Sequence, residues 1–439
     1  MSLASAARQF TNKQKKDMDV TLFTPEYIRE HWGEICEYCI GDAEIVETLF
    51  YVLKGMCAKL GINPTTFYSI ATIGYKYARE NSQYVTVNRL WKTHREVLEA
   101  ACKAYSGGKF EVTTRGKGYF YEYDINSAYP FEIANLADIS RCRVVRERKY
   151  RPGATYGFLH LDLFFNEDVY HPVAYKRGVV NIYPVGRFKR WVTKQEYEFI
   201  RELPGVTIKV LDGLYLYPRY KRKPYRELIN NLYWVKAEAK VRKDKELYHF
   251  SKILMNSLYG KFVQLVRRGD TIEATTCWNP IYGAVITANV RVRLARLQMQ
   301  HPEVVAVHTD SVLSRRKLPL KCTDRIGDWA LSEYGIGVII GCGFYQVGDK
   351  VRVRGFPFQG CLFELLNKSP PEVVIPDTRA VTWRLVAANH WDTQMINRFV
   401  NADKVLNINF DNKRVWLDDW KSGTEAITSN TDSIPFMVF

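Results

Sequence analysis

This sequence of 439 residues lacks the marks of several large protein classes. No apolar run approaches the roughly 20 residues that a helix needs to span a bilayer, so no membrane partner is expected. Met1 to Lys16 is polar and basic without an apolar core, which argues against a secretory signal and for an intracellular protein. The nine cysteines fall at irregular spacings, the pattern of reduced thiols rather than of a disulfide scaffold. Cys36-Glu-Tyr-Cys39 has the spacing of half a zinc site, but no second Cys-x-x-Cys or His-x-His completes it. There is no internal repeat and no low-complexity tract, and the Ser/Thr/Asn-rich segment 422–433 reads as loop. Negative charge is short as well: 47 Asp and Glu stand against 63 Lys and Arg, a formal charge of +16. Polyanions are the natural partners of such a chain, and a nucleic acid would be bound with steep salt dependence. The length suits two to four domains.

Three segments carry chemistry. Apolar side chains at Tyr119, Tyr121, Tyr123 and Ile125 alternate, the period of a strand that delivers the carboxylate Asp124 and breaks at Pro130. A metal ligand for phosphate chemistry must be held within a fraction of an ångström, which a rigid strand end provides. An aspartate at a strand end is also an ordinary turn residue. In the second segment Lys252, Asn256 and Tyr259 stand at i, i+4 and i+7 on one helix face. A compact ammonium meets phosphates and a ring offers a surface to a base pair, so that face suits a nucleoside triphosphate. In the third, Val304-Val-Ala-Val-His308-Thr-Asp310-Ser-Val312, β-branched residues lead to a second carboxylate at the bend of an expected hairpin. Two strand-borne aspartates and a lysine helix are the minimum set for two-metal phosphoryl transfer, with the ions roughly 4 Å apart.

In this order, Asp-Ile-Asn-Ser-Ala-Tyr-Pro (124–130), Lys-x-x-x-Asn-Ser-x-Tyr-Gly (252–260) and Thr-Asp-Ser (309–311) resemble the three polymerase motifs of family B DNA polymerases. The form is that of the protein-primed branch of bacteriophages, other viruses and linear plasmids. Tyr105-Ser-Gly107-Gly108 is similar to that family's template-binding loop, Trp234-Val-Lys236 resembles the start of the fingers, and Arg352-Val-Arg354-Gly-Phe is similar to the primer-gripping strand. The resemblance covers roughly residues 24 to 360.

It implies an α+β right hand of palm, fingers and thumb behind a mainly helical remnant of an exonuclease domain. It also implies attack of a primer 3′-OH on a dNTP, with primed single-stranded DNA as template. Asp124, Asp310 and the backbone carbonyl of Ile125 would hold two Mg²⁺, with Mn²⁺ as an alternative. Lys236 and Lys252 would meet the β- and γ-phosphates, Ser127 would offer its backbone N–H, and Tyr129 would lie under the sugar. Asn256 and Tyr259 would border the nascent pair, while Tyr105, Gly107, Gly108, Arg352 and Arg354 would hold DNA. A terminal protein is one candidate primer, a separate exonuclease subunit is one candidate source of proofreading, and the host cytoplasm is the expected location. A catalytically silent, polymerase-shaped DNA-binding protein is the competing reading.

The expected spans are exonuclease remnant 1–103, template loop and first palm strand 104–130, insertion and palm 131–224, fingers 225–259, palm 260–356 and thumb 357–439. Three departures from the family pattern stand out. His308 occupies a position where the family carries aspartate. The short interval between Tyr259 and Asp310 calls for a second insertion that is reduced or missing. Tyr38-Cys-Ile-Gly-Asp42 resembles the last exonuclease motif without the two earlier carboxylate segments, so proofreading by this chain is not expected.

Overall fold

The alternating aromatic segment forms the strand Thr114–Ile125, the spine of the molecule. A computed structural model, which describes all residues except 1, 65, 68 and 397, places it within a nine-stranded sheet. Seven of its strands run in the order Lys109–Val112, Val304–Thr309, Ser311–Ser314, Thr114–Ile125, Trp329–Gly341, Phe344–Val347 and Lys350–Val353, and Asn430–Pro435 with Arg414–Trp416 joins at the spine, every neighbouring pair antiparallel. Period two divides the spine between two faces. Phe120 on one face joins a buried cluster with Val112, Leu313, Ile339 and Tyr345. Tyr123 and Ile125 on the other pack with Val290, Leu294 and Leu297 of the helix Pro280–Gln300. That helix is buried nearly all round, including the polar side chains of Thr287, Arg291 and Gln298. The Asn279 side chain caps it by accepting from the Tyr282 amide, and Pro280 occupies a first-turn position where no N–H is needed.

The spine ends earlier than expected. Backbone at Ser127 turns left-handed (φ 49°), and the helix Ala128–Asn135 starts there. Pro130 does not break a strand: it sits in the first helical turn, where its missing N–H costs nothing.

Residues 24–100 are mainly helical, with the long helix Trp32–Lys59 followed by Ile70–Asn81, Asn88–Thr93 and Arg95–Ala104. On the long helix Ile45 is buried, whereas Val46 is 54% exposed and faces away from the core. The helices Arg226–Val241 and Lys245–Phe262 form a hairpin, the second capped by the Asp244 side chain. Leu254 and Leu258 bury against Ile73 of the helix Ile70–Asn81. Gly74 permits that approach, since a Cβ there would lie 2.5 Å from Ser257 Oγ. Between this hairpin and Pro280 stands a short exposed β-hairpin, Leu265–Arg268 with Thr271–Ala274, in the place where a reduced insertion was expected.

The region 131–224 builds a second sheet from Cys142–Arg146, Val206–Pro218, Tyr156–Phe165 and Val185–Thr193. The far end of the chain departs from expectation. Segment 422–433 is not loop: it contains the helix Gly423–Ala426 and enters the strand Asn430–Pro435, which pairs with Thr114–Gly116 of the spine. Met437–Val438 then adds to the second sheet, parallel to Val185–Gly186. The boundary drawn at 357 therefore does not isolate a unit. Arg414 holds this end, donating from a buried position to Glu111, to Asp168 and to the Ser433 hydroxyl and carbonyl, each at 2.8–2.9 Å. No helix among the described residues is long and apolar enough to cross a membrane.

Candidate active site

Asp124 and Asp310, distant in sequence, meet through strand register. Ser311 pairs with Asp124, and the Ile125 amide donates to the Asp310 carbonyl at 2.9 Å. Asp310 sits in the tight turn between its two strands, made possible by a left-handed Thr309 (φ 67°) and a bond from its own amide to the His308 carbonyl at 2.8 Å. Both carboxylates line one cavity of about 670 Å³. Burial, and then the neighbouring Asp124 charge, push the Asp310 carboxyl up to about 6. Two acids crowded in this way suit a cation with oxygen-donor preference. Among the described residues no group of three or more His, Cys, Asp or Glu side chains is placed to hold a metal, so backbone oxygen such as that of Ile125 would have to complete the donor set.

His308 lies beside the pair without charge. Burial, then Arg354 and Lys350, bring it down to about 3. Its ring stacks on Tyr345 at 4.7 Å and 4°, and its Nε2 accepts from the Gly343 amide at 3.4 Å. Two neighbours escaped the reading of the sequence. Glu122, two residues before Asp124 and on the same sheet face, accepts from the Tyr345 hydroxyl at 2.9 Å and pairs with Lys350 at 2.8 Å. Period two alone would have found Glu122. Lys350 also has a sequence signal, as the first of three cations at i, i+2 and i+4 with Arg352 and Arg354, all lining the same cavity. Arg352 and Arg354 are exposed, the latter over the Phe110 ring at 4.7 Å.

Above the sheet, Lys236 of the first hairpin helix donates to Ser127 Oγ at 3.2 Å. Burial, then Lys252 and Lys240, lower its pKa to about 8. The Lys236 ammonium thus stands at the start of the helix Ala128–Asn135, whose first N–H groups favour an anion, and the Lys252 charge acts on it. Lys252 and Asn256 are exposed on the second hairpin helix, and Tyr259 turns inward. The Tyr259 ring lies 4.6 Å from that of Tyr129, and its hydroxyl bonds Tyr105 at 2.8 Å. Gly108 closes this corner, for a Cβ would come within 2.8 Å of Thr309 Cγ2 and 3.1 Å of the Tyr129 hydroxyl.

The Tyr105–Gly108 loop is fixed from below by the fully buried Arg291. Its guanidinium donates to the carbonyls of Ser106 (2.6 Å) and Gly107 (2.8 Å) and to Glu196 (2.6 Å). Arg291 is one of three arginines in that helix, with Arg293 and Arg296, and nothing in the sequence singles it out for this role. Tyr38 and Asp42 lie elsewhere, on the helix Trp32–Lys59, where Lys15 pairs with Asp42 and donates to the Tyr38 hydroxyl at 2.6 Å.

Solved structures share this fold. Phi29 DNA polymerase, complexed with primer-template DNA and incoming nucleotide, aligns with a TM-score of 0.59 over 93% of this chain and 78% of its own, at 14% identity. Its orthorhombic crystal form gives 0.56 over 81% and 68%, at 16% identity. Likeness at such identity defines the fold, a right-hand polymerase of mixed α and β structure. The family follows from sequence: the model of DNA polymerase type B, organellar and viral, matches residues 7–273, and the chain belongs to that family. The DNA polymerase of Acidianus bottle-shaped virus is 27% identical over 312 residues, 65% of this chain and 44% of that relative. A probable DNA polymerase of Ascobolus immersus is 26% identical over 238 residues, 52% of this chain and 19% of its own. The chain thus matches less than half the length of either relative.

Proposed function

We propose that the chain is a template-directed DNA polymerase that adds deoxynucleotides to a primer 3′-OH. The observation that carries this reading is the meeting of Asp124 and Asp310 in one cavity, with the Asp310 acid raised to about 6 by burial and by its partner's charge. Membership of the family and the right-hand fold support DNA and dNTPs as substrates.

Asp124, Asp310 and the Ile125 carbonyl would hold Mg²⁺ or Mn²⁺. When bound, two such ions stabilise the charge on the attacking and leaving oxygens. The chain's own groups do the remainder. Lys236 and Lys252 receive the triphosphate together with the N–H groups that begin at Ser127, fixing its orientation before reaction. Tyr129, backed by Tyr259, borders the sugar and excludes a 2′-OH. The Tyr105–Gly108 loop, held by Arg291, carries template, and Arg352 and Arg354 take the primer backbone. Asp42 is paired with Lys15 and takes no part in hydrolysis.

Extension of a labelled primer on single-stranded DNA with Mg²⁺ tests the proposal. Nucleotide addition that depends on dNTP, template and metal is expected. A chain that binds the primed DNA but adds nothing would overturn it in favour of a silent DNA-binding protein.

A further inference from the structure

Away from the catalytic cavity a second pocket combines aromatic rings with positive charge. A groove of about 290 Å³ lies along the helix Arg95–Ala104, lined by Trp91, Arg95, Leu98, Lys103 and Trp278 among others. Leu98 is 1% exposed and forms its floor, whereas Trp91 keeps 46% of its surface in solvent. Trp278, from the turn after the exposed β-hairpin, meets Trp91 edge-on at 6.0 Å and 79°, which holds that ring in place without covering it. The Arg95 guanidinium lies 4.7 Å from the Trp91 centroid and pairs only at the surface, with Glu99 at 3.3 Å. Cations exceed acids in its lining, Arg95 and Lys103 against Glu99.

An indole topped by a guanidinium plane is a surface on which any unpaired base can stack, with nearby cations for its phosphates. The position fits the same ligand. The ten-residue helix runs straight into Tyr105, so the groove follows it from Arg95, about 15 Å from the loop at 1.5 Å per residue, to Lys103, two residues before Tyr105. We propose that this groove is a base-stacking subsite for single-stranded template on its way to the Tyr105–Gly108 loop. This rests on the polymerase reading for the loop's role. The basic rim and the base-sized hollow favour a nucleic acid strand over a protein segment.

The test uses the full chain and oligothymidylate carrying 5-iodouracil. Irradiation should cross-link the oligonucleotide to Trp91 or Trp278, as mapped by mass spectrometry. In fluorescence anisotropy Trp91→Ala should weaken binding of the same oligonucleotide by about fivefold or more, the loss of one base stack. Trp91→Phe, which keeps a ring, should lose less. Cross-links only at other sites, together with unchanged affinity in Trp91→Ala and Arg95→Ala, would overturn the subsite. The cross-link on the unaltered chain requires no variant to fold, and neither readout needs catalysis. A chain that cross-links at Trp91 yet extends no primer would therefore sink the polymerase reading and keep the subsite.

Discussion

The Lys350 ammonium stands 3.9 Å from the Asp124 carboxylate while ion-paired at 2.8 Å with Glu122. Glu122 is 1% exposed, and its other oxygen is bonded by the Tyr345 hydroxyl, so Lys350 is what balances its charge. Removing one member of a buried pair leaves the other charged and unsolvated, which costs about 3–5 kcal/mol. Lys350→Met is expected to destabilise by that amount, and adding Glu122→Gln should restore most of it. Denaturant unfolding of the single and double variants measures the coupling. Equal stability of Lys350→Met and the unaltered chain would show that Glu122 has another partner.

Asp310 should set function against stability. Its carboxyl is raised from 3.8 to about 6 in the folded chain, so its ionisation opposes folding above pH 6. That opposition fades as pH falls through 6 toward 4, which gives the metal-free chain up to about 3 kcal/mol from this group. Asp310→Asn in chelator at pH 7 is therefore expected to unfold at higher denaturant. Its extension rate should fall about a thousandfold, since a missing ligand charge costs on the order of 4 kcal/mol in the transition state. Extension near the unaltered rate would remove Asp310 from the site.

What the sequence disclosed follows from periodicity. Asp124 was readable because a period-two apolar run carries it to a strand end, Asp310 because a β-branched run leads to it, and Lys252 and Tyr259 because helical spacing aligns them. The contact of Lys236 with Ser127 was not readable, for it needs a left-handed residue and the folding-back of a helix pair. Arg291 could not be told apart in sequence from its helix neighbours Arg293 and Arg296. Asn430–Pro435 read as loop because the residues it buries, Thr431 and Ser433 among them, are polar. The partners of Ser433 are Arg414 and the carbonyls of Val112 and Thr113, which hydropathy cannot register.

His308 is neutral and packed on Tyr345, with Arg354 and Lys350 as its charged neighbours. A carboxylate in its place would face those cations, so His308→Asp is expected to preserve or raise extension. Loss of activity in His308→Asp, with activity retained in Asp310→Asn, would show that the register of the third motif is shifted.

Tyr129 is wedged between the Tyr259 ring and Gly108, and burial, then the Asp310 charge, keep its hydroxyl protonated. A ring fixed in this way selects by exclusion rather than by attraction. Tyr129→Val should raise the ratio of ribonucleotide to deoxynucleotide incorporation by about tenfold or more, on the order of 1.4 kcal/mol of lost discrimination. Steady-state kinetics with paired nucleotides would show it. An unchanged ratio would mean that another side chain guards the sugar.

Asp42 and Tyr38, one helical turn apart on Trp32–Lys59, both meet the Lys15 ammonium, which also lies 4.0 Å from the Tyr38 ring centroid. Neighbouring acids are engaged by the same basic segment, Glu44 by Lys13 and Glu37 by Lys16. Hydrolysis of a phosphodiester by two metals needs several carboxylates converging on one point, and here the carboxylates are spread along a helix and neutralised singly. Asp42 is therefore expected to hold the segment around Lys15 on the helix. The purified chain should leave a mismatched, labelled primer terminus intact with Mg²⁺ or Mn²⁺ in the absence of dNTPs. Asp42→Ala should leave extension unchanged and increase proteolytic cutting near Lys15. Degradation of the mismatched primer that vanishes in Asp42→Ala, while extension survives, would show that Asp42 belongs to a working exonuclease.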